Sequence, residues 1–537
     1  LNSSLNSNFG TITLQSVDDS IEFQFSGFVM STSGNVTVSA DMTAGGIAGE
    51  FLMADGSHIL AGSGMIDIDA EGDITIGLLQ TTDTSNTAVT IDTATGAVID
   101  AGNATVLNID ASAGRAVINA VTGIGAADAL ETNVASLDLD NSTIGNIDIL
   151  ETDTVTVFDA QQETAGNIQI VSGGTLTVDN GGAVTNAVST VGAGTIVLTA
   201  SNVDSNLIIN DGIQSTSGSI QLTADNDVVL AAEGDITSTT GNVTVTADAD
   251  SASDGGGTDQ GSLTMADGAV VNAGNGMIVL IANEDITLGQ LVTTNATTTA
   301  VQITSAVGGV VDGGDAGGAD IVTASGRTVI GAATGIGAAG ALETSIESID
   351  ADTSTEAIDI DNSLVTTTTV IALTTVGGAV NFDQSGGGDL AISGNVASGS
   401  VGPDTDGGNI ELTSTVGLMV AGTATISSVA GAGGLLSVNE ATIDAGATIT
   451  VGAGDVTLNG SGQDTIINAT ITTATTATLT ATRDVIIGAT ITTTNADADI
   501  IINANTDDGT VVGSGGVQIQ TAGQLVAGRD VTITGSD

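Results

Sequence analysis

An internal duplication constrains this chain more than any other feature. Residues 122–132 read TGIGAADALET and residues 334–344 read TGIGAAGALET, so ten of eleven positions agree at an offset of 334 − 122 = 212. The match extends upstream, because MADGSHILAGSGMIDIDAEGDITIG (53–77) returns at the same offset as MADGAVVNAGNGMIVLIANEDITLG (265–289). A chain that copies itself over such a length is built by adding units, which indicates an extended repeat protein.

A shorter period lies inside the duplication. The adjacent segments GIQSTSGSIQLTAD (212–225) and GDITSTTGNVTVTAD (234–248) align at an offset of 23, with Ile213 on Ile236 and Leu222 on Val245. Within each segment apolar residues alternate with Thr, Ser or Asn, as in a strand with one buried face. Gly, Asn and Asp interrupt the alternation every few residues, as turns require.

This period predicts an all-β chain, a parallel β-helix (β-solenoid) with coils of about 23 residues. At that step 537 residues make about 23 coils. We expect residues 1–30 to be an N-terminal cap or docking segment and residues 31–537 to be one continuous solenoid. It contains the duplicated segments 34–150 and 241–362. An antiparallel sandwich is the alternative, but hairpin turns are scarce in the sequence.

The charge balance is unusual because cations are missing. The chain has 63 acidic and four basic residues, and its formal net charge is −59. All four basic residues are arginine, and cysteine is absent. Nothing in such a chain neutralises phosphates, which argues against nucleic acid and anionic membranes as partners. The balance favours divalent cations, cationic surfaces or surroundings of high ionic strength.

The chain starts at Leu1 and shows no signal peptide. It also lacks an apolar run of about 18 residues, the length that a membrane-spanning helix needs. We interpret it as a processed mature form or a segment of a longer protein, and we expect it at the cell surface or outside the cell.

The four arginines share a local pattern. Each precedes a V-x-I strand: Arg115 in AGRAVIN, Arg327 in SGRTVIG, Arg483 in ATRDVII and Arg529 in AGRDVTI. The first pair has the offset of the duplication, 327 − 115 = 212, and the second pair has an offset of 529 − 483 = 46, or two coils of 23. We therefore expect all four at equivalent coil corners, where a guanidinium bridges carboxylates or carbonyls of neighbouring coils.

The repeat vocabulary resembles a known class of proteins. GDITIG (72–77), GDVTLNG (454–460), AGRDVTI (527–533) and the TGIGAA-x-ALET block are similar to the repeats of large bacterial exoproteins, the filamentous-haemagglutinin-like and related β-strand-repeat adhesins. The resemblance implies a right-handed parallel β-helix, secreted to or held at the cell surface and used in adhesion, cell contact or matrix building. The secretion domain of that family is not visible, and lysine is absent.

Catalysis is poorly supported. His58 is the only histidine, and position 270 in the second copy, its counterpart, is Val. Polysaccharide lyases need a base among cations or metals, and glycosidases pair carboxylates beside stacking aromatic residues. The chain has no Trp or Tyr, so we predict no catalytic residue. Thr runs such as TITTATTATLTAT (470–482) suit an exposed strand face better than an ice-binding array.

The Asp-rich segment 248–260 is interpreted as a solvated loop, with a Ca²⁺ site as the alternative, since it does not fit an EF-hand loop or the Gly-rich nonapeptide Ca²⁺ repeat. Four carboxylates, Asp248, Asp250, Asp254 and Asp259, lie in the Gly-rich segment 248–260 and offer the oxygen ligands of Ca²⁺. DGGDAGGAD (312–320) and PDTDGG (403–408) are similar but poorer. The alternations IDID (66–69), LDLDN (137–141) and IDIDN (358–362) predict acidic ladders on stacked coils. No other cofactor is predicted.

Five of the seven phenylalanines lie within the first 51 residues. Four of them, Phe9, Phe23, Phe25 and Phe28, fall in the segment expected to cap the solenoid or to dock it onto another subunit.

These features predict a non-enzymatic, extracellular, structural or adhesive β-solenoid rod of a bacterial cell surface. A self-assembling subunit of a filament, sheath or surface layer, bridged by Ca²⁺, is the alternative, and a polysaccharide-binding or polysaccharide-cleaving β-helix is more remote. The expected partners are other copies of the chain, other surface components, or a receptor or glycan on a host or neighbouring cell.

Overall fold

The computed structural model describes residues 1–537 apart from 26, 42–48, 103–106, 126–127, 183–185, 249–260, 315–317, 324, 338–339, 400–407, 429–435, 439–440, 453, 461–463, 506–514 and 536–537, with the backbone alone for 436–438. The described residues form β-strands and turns and no helix, and hence no helix suited to crossing a membrane. The chain divides into two compact units, Leu1–Val279 and Leu280–Asp537.

The strands of the first unit are short and closely spaced. Their bounds are β1 (Ser4–Ser7), β2 (Ile12–Ser16), β3 (Ile21–Phe23), β4 (Phe28–Ser31), β5 (Val36–Ala40), β6 (Phe51–Met53), β7 (His58–Leu60), β8 (Ile66–Ala70), β9 (Ile74–Ile76), β10 (Leu78–Gln80), β11 (Val89–Thr93), β12 (Val98–Asp100), β13 (Ile109–Ala120), β14 (Leu130–Asn141), β15 (Ile147–Glu151), β16 (Val155–Gln162), β17 (Ile168–Ser172), β18 (Leu176–Val178), β19 (Asn186–Thr190), β20 (Ile196–Ala200), β21 (Leu207–Ile209), β22 (Gly212–Ser215), β23 (Ile220–Ala224), β24 (Val228–Leu230), β25 (Ile236–Ser238), β26 (Val243–Thr246), β27 (Leu263–Met265) and β28 (Val270–Gly274).

The next strand, β29 (Ile278–Ala282), contains the boundary between the units. The strands of the second unit follow: β30 (Ile286–Leu288), β31 (Gln290–Thr293), β32 (Val301–Ser305), β33 (Val310–Asp312), β34 (Ile321–Thr323), β35 (Arg327–Ala332), β36 (Leu342–Ser345), β37 (Ser348–Thr353), β38 (Ile358–Asn362), β39 (Thr368–Thr375), β40 (Val380–Gln384), β41 (Leu390–Ser398), β42 (Ile410–Ser414), β43 (Leu418–Val420), β44 (Thr425–Ser428), β45 (Leu436–Val438), β46 (Ala441–Ile443), β47 (Thr448–Val451), β48 (Val456–Gly460), β49 (Thr465–Ile467), β50 (Thr470–Thr473), β51 (Ala477–Ala481), β52 (Val485–Ile487), β53 (Thr490–Thr493), β54 (Ile500–Asn503), β55 (Val517–Ile519), β56 (Gln524–Val526) and β57 (Val531–Thr534).

The strands stack in parallel, coil upon coil. At the start of the first unit each coil contributes three strands: β1, β4 and β7 pair in one stack, β2, β5 and β8 in the next, and β3, β6 and β9 in the third. Together the two units hold about 19 coils spaced by about 23 residues, which confirms the predicted β-solenoid.

The predicted register is also confirmed within the first unit. Ile213 pairs with Ile236, and Leu222 pairs with Val245, at the step of 23 read from the sequence. The alternation of apolar and polar residues also corresponds to one buried and one outward strand face, as predicted. In β8, Ile66 and Ile68 are fully buried, while Asp67 and Asp69, which alternate with them, are half-buried on the opposite face. Each buried Ile side chain stabilises the fold by about 1.5–3 kcal/mol relative to an exposed one.

The number of coils was overestimated. About 19 are present where an even step of 23 residues predicted about 23. Individual steps between register partners are uneven: the step from Leu342 to Ile360 is 360 − 342 = 18, and the step from Val228 to Leu263 is 263 − 228 = 35. Only the strands must align to close the core, so the corner loops are free to vary in length and not every residue of the chain fits an even step of 23.

The two copies of the duplicated sequence form equivalent bridges. In the first unit Val98 pairs with Ile124, which pairs with Ile147. In the second unit Val310 pairs with Ile336, which pairs with Ile358. The copies therefore share local pairing as well as sequence.

Residues 1–30 are continuous with the rest of the first unit. Ser4 pairs with Phe28, Ile12 with Val36 and β3 with β6, so these residues form the first coil and enter the second. Among the described residues these pairings span residue 31, where the boundary was expected, and the cap or docking role of residues 1–30 stays a prediction. The strands β3 and β4, although richer in Phe, serve the same coil geometry.

A column of glycines permits close stacking at one corner of the first unit. Gly194, Gly218 and Gly241 lie one above another, and a Cβ atom on Gly241 would lie 1.9 Å from the carbonyl oxygen of Gly218. The hydroxyls three residues earlier complete the corner, since the Gly241 N–H donates to Ser238 Oγ at 2.9 Å and Ser238 Oγ donates to the Gly218 carbonyl at 3.0 Å.

We predict that Gly241→Ala destabilises the first unit by about 1–3 kcal/mol or more, because the added methyl group overlaps rigid backbone. Urea unfolding followed by far-UV circular dichroism measures the change. Gly516→Ala is the control, since a Cβ atom there meets no described atom within 4 Å, and it should change stability by no more than about 0.5 kcal/mol. Equal effects of the two substitutions would contradict the close-stacking argument.

Candidate functional site

Arg115 and Arg327 each bridge to the following coil. Arg115 Nη1 lies 3.6 Å from Asp138 Oδ2, and Arg327 Nη1 lies 3.9 Å from Asp350 Oδ2. Arg115 is held further by donating from Nε to Ser136 Oγ at 3.1 Å, and its guanidinium lies 3.7 Å from the centre of the Phe158 ring. The charge of Arg115 opposes the effect of burial on Asp138, although burial is the larger effect and raises the pKa of that carboxyl.

Arg483 and Arg529 use a different geometry. The Arg483 Nε and Nη2 atoms donate to the two oxygens of Asp464 at 2.7 and 2.6 Å. Arg529 makes the same two-pronged bridge to Asp499. In both cases the aspartate belongs to the preceding coil and also accepts from the backbone N–H of the residue after the arginine.

The expectation that all four arginines occupy equivalent corners is wrong. Arg483 precedes β52, which stacks between β49 and β55, whereas Arg529 precedes β57, which stacks on β54 and β51. The step from Val485 to its register partner Val517 is already 517 − 485 = 32, so the offset of 46 between the arginines falls short of two coils. What the arginines share is an aspartate on an adjacent coil.

The predicted acidic ladders are present on both units. Asp69 lies opposite Asp92 in the next coil, and Asp361 lies opposite Asp383. Burial, followed by the charges of Asp67 and Asp92, raises the pKa of Asp69 to about 6. Like charges directly opposite one another destabilise a sheet, so these columns need counter-charges or donors.

Amide side chains supply part of that compensation. Asn119 Nδ2 donates to Asp92 Oδ1 at 2.5 Å, and Gln161 Nε2 donates to Asp159 Oδ1 at 2.6 Å. In a chain without lysine, Asn and Gln therefore occupy ladder positions beside the carboxylates and satisfy them without adding charge.

The phenylalanines expected to dock a second subunit separate into two groups. Phe9 and Phe25 are 83% and 77% exposed. Phe23 is a core residue at 1% exposure, and its ring lies edge-on to Phe51 at 5.4 Å, so its assignment to a docking surface is wrong. The side chain of Phe23 points inward because of its place in β3. The high Phe content of the segment does not predict this orientation.

Phe28 and the single histidine are neighbours in one stack. Phe28 pairs with His58 across successive coils, and their ring centres lie 6.3 Å apart. Both side chains are half-buried.

Most of the predicted calcium segment lies outside the described residues. This applies to Asp250, Asp254 and Asp259, and also to residues 403–407 of the segment PDTDGG. Asp248 is described and adopts a left-handed backbone conformation with φ +56°, with its N–H donating to the Asn226 carbonyl at 3.0 Å.

The structure brings together a different set of carboxylates. One carboxylate oxygen from each of three residues lies within 4.8 Å of the other two. The residues are Asp312 at the end of β33, Asp320 directly before β34 and Glu343 in β36. We call these three residues the carboxylate cluster. Because β34 pairs with β36, the cluster joins two successive coils of the second unit. It is the one group of this kind among the described residues.

Asp320 is the buried member of the cluster, at 1% exposure. Its Oδ2 accepts the Glu343 N–H at 3.1 Å, while its Oδ1 has no hydrogen-bond partner among the described residues. Burial, with the charges of Asp312 and Glu343, raises the pKa of Asp320 to about 8. A carboxylate in this position requires either a proton or a cation.

In the first copy an amide replaces the buried carboxylate of this cluster. At the offset of 212, Asp312, Asp320 and Glu343 correspond to Asp100, Asn108 and Glu131. Asn108 Nδ2 donates to Asp100 Oδ1 at 2.7 Å, and Asn108 Oδ1 accepts the Glu131 N–H at 2.9 Å. In the first copy the Asn108 amide therefore donates a hydrogen bond to the Asp100 carboxylate. In the second copy the equivalent position is Asp320, which adds a third carboxylate instead of a donor.

Sequence reasoning found two of the three cluster residues, in the segment 312–320, and ranked that segment below 248–260. It missed Glu343, which lies one coil further along the chain. The alignment of the two copies contained the signal, because the exchange of Asn108 for Asp320 adds a carboxylate at a position that the stacking buries.

Comparison with known proteins adds no assignment: no protein-family model, curated protein or solved structure matches this chain. The resemblance to filamentous-haemagglutinin-like exoproteins therefore stays a prediction. The charged sites described above must be interpreted from their own geometry.

A buried glutamate gives the first unit a pH-dependent element. Glu151 is 1% exposed and accepts from Thr132 Oγ1 at 2.6 Å and from the Val134 N–H at 3.2 Å. Burial outweighs these hydrogen bonds and raises the pKa of Glu151 to about 7, and the charge of Asp153 acts in the same direction.

We predict that the first unit is more stable near pH 5 than near pH 8. The protonated form of Glu151 is favoured in the folded chain, so its contribution is complete below the unfolded pKa near 4.5 and is lost as the pH rises through about 7. The difference should be on the order of 2 kcal/mol for this group. Glu151→Gln should reduce the difference in urea unfolding between the two pH values, whereas Glu233→Gln, at an exposed position, should leave it unchanged. An unaltered pH dependence in the Glu151 variant would refute this assignment.

Proposed function

We propose that this chain is a non-enzymatic structural or adhesive β-solenoid of a bacterial cell surface. The observation that carries the proposal is the alignment of carboxylates into columns on stacked coils, as in Asp69 with Asp92 and Asp361 with Asp383. A surface of this kind recruits cations along its length and binds cationic or cation-bridged partners.

The chemistry outside the core supports a scaffold rather than a catalyst. Asp320 is too buried to reach a polymer, and glycosidases place their two carboxyl groups about 5 Å or more apart across an accessible sugar site. His58 is half-buried against Phe28 and has no counterpart in the second copy. Apolar side chains fill the coils, and Thr, Asn and Asp occupy the outward positions, which suits contact over a surface.

We predict that the protein is found outside the cell and shows no glycan turnover. Immunogold labelling of intact cells of the source organism should detect it without permeabilisation, and protease treatment of those cells should remove the label. Labelling that requires permeabilisation would overturn the location, and release of reducing ends or unsaturated sugars in a screen of polysaccharides would overturn the non-enzymatic assignment.

A second candidate function, self-assembly into a filament, sheath or surface layer, has one specific observation in its favour. Val531 and Ile533 in β57 are 44% and 48% exposed, although their register partners Ile500 and Ile502 are fully buried. They occupy core positions of a coil that no later described coil covers. Further chain or the first coil of another copy would bury them.

We predict that self-assembly of the 537-residue chain depends on this apolar coil surface. Negative-stain images and sedimentation of the wild-type protein should show ordered fibres or sheets, and Ile533→Asp should leave monodisperse particles. Thr532→Asp is the matched control, because it adds the same charge at the neighbouring outward position. Monodisperse wild-type protein at all concentrations would reject self-assembly and leave the scaffold proposal standing.

A further inference from the structure

We propose that the carboxylate cluster of Asp312, Asp320 and Glu343 binds one calcium ion and thereby clamps two successive coils of the second unit. Asp312 and Asp320 come from one coil and Glu343 from the next. This inference concerns a site in the purified chain and does not depend on the proposed cell-surface role.

The geometry prepares the cluster for a cation. The Gly314 N–H donates to Asp312 Oδ1 at 2.7 Å, and the Glu343 N–H donates to Asp320 Oδ2 at 3.1 Å. These bonds orient two carboxylates. Asp320 Oδ1 is left buried, without a donor among the described residues, beside the other members of the cluster. Three carboxylates so close together, with the charge of Asp320 buried, are stabilised by a bound cation or by a proton.

The oxygen set suits calcium better than a transition metal. Ca²⁺ binds six to eight oxygens at about 2.3–2.6 Å, so ligands on opposite sides of the ion lie up to about 5 Å apart. The separations in the cluster, at most 4.8 Å, fall inside that limit. No Cys exists in the chain, and the only His lies in the first unit, so no softer ligand competes.

Backbone carbonyls extend the oxygen set. In the first copy, Asn108 Nδ2 lies 3.2 Å from the Ile76 carbonyl oxygen and 3.4 Å from that of Gly77. At the offset of 212 the corresponding residues are Leu288 and Gly289. The Leu288 carbonyl keeps the equivalent bond, since it accepts the Gly313 N–H at 2.8 Å as the Ile76 carbonyl accepts the Ala101 N–H at 3.0 Å. By this correspondence the two backbone carbonyls are further candidate ligands beside the three carboxylates, since both carbonyls and carboxylates are calcium ligands.

The first copy shows what the same position does without a cation. There the Asn108 amide donates to Asp100, and only two carboxylates remain. A proton shared between Asp320 and Glu343 is the competing way to stabilise the second cluster, and it predicts no response to calcium.

Isothermal titration calorimetry of the 537-residue protein with CaCl₂, in about 0.15 M NaCl to screen the general acidity, tests the site. We expect one saturable event with a dissociation constant on the order of 10⁻⁴ M and at least about tenfold weaker binding of Mg²⁺, which demands a more regular shell. Asp320→Asn, which installs the residue found in the first copy, should abolish this event. Asp444→Asn removes one charge at an exposed position of the same unit and should retain it.

A gain of binding provides the converse test. Asn108→Asp completes three carboxylates with Asp100 and Glu131 in the first unit, and it should add a second saturable calcium event. Thermal unfolding is an independent readout, because binding to the folded state alone raises the melting temperature with ligand concentration. Calcium should raise the melting temperature of the wild-type protein, and this shift should be absent in Asp320→Asn.

The outcomes separate the two explanations. Equal calcium binding by the wild type and Asp320→Asn would overturn the site and assign the binding to diffuse surface charge. No calcium response in the wild type, combined with a higher melting temperature of Asp320→Asn at pH 8, would establish the shared proton instead. Equal affinity for Mg²⁺ and Ca²⁺ would overturn the choice of calcium. None of these results bears on location or catalysis, so failure of the site and failure of the proposed function are distinguishable.

Discussion

In-register parallel stacking is the constraint on which the other features of this structure depend. When Leu222 pairs with Val245, each position of a coil lies directly over the same position of its neighbour, about 4.8 Å away. Each residue therefore has the equivalent residues of the two neighbouring coils directly above and below it. Apolar columns build the core, and glycine columns such as Gly218 under Gly241 allow backbones to touch. Columns of charge are the unfavourable consequence of the same geometry.

The chain relieves its charged columns with few cations. Arg115 and Arg483 each bind an aspartate on an adjacent coil, and amides such as Asn119 stand beside carboxylates such as Asp92. These bridges are local, so most of the net charge remains for solvent ions to balance. Burial raises the pKa of several ladder carboxyls, Asp69 among them, which means that part of the repulsion is removed by protons when the pH falls.

Periodicity predicted the fold, since alternation and the step of 23 specify which residues stack, and Ile213 does pair with Ile236. It could not predict corner lengths, and so it overestimated the coil number and placed Arg483 and Arg529 at one corner. It predicted part of the carboxylate cluster, because Asp312 and Asp320 are close in sequence. Glu343 comes from the next coil and is recognised only once the register is known.

The duplication turns the cluster into a comparison within one molecule. Both copies bury the same polar position, but Asn108 satisfies its carboxylate neighbour with an amide, whereas Asp320 adds a third negative charge. Because each coil contacts only its neighbours, such an exchange alters one pair of coils and leaves the remaining stacks unchanged. A solenoid can therefore acquire an ion-dependent coil contact by a single substitution. The backbone beside this position is shared as well, because the Leu288 carbonyl accepts the Gly313 N–H as the Ile76 carbonyl accepts the Ala101 N–H, so the exchange changes the side chain within one local backbone arrangement.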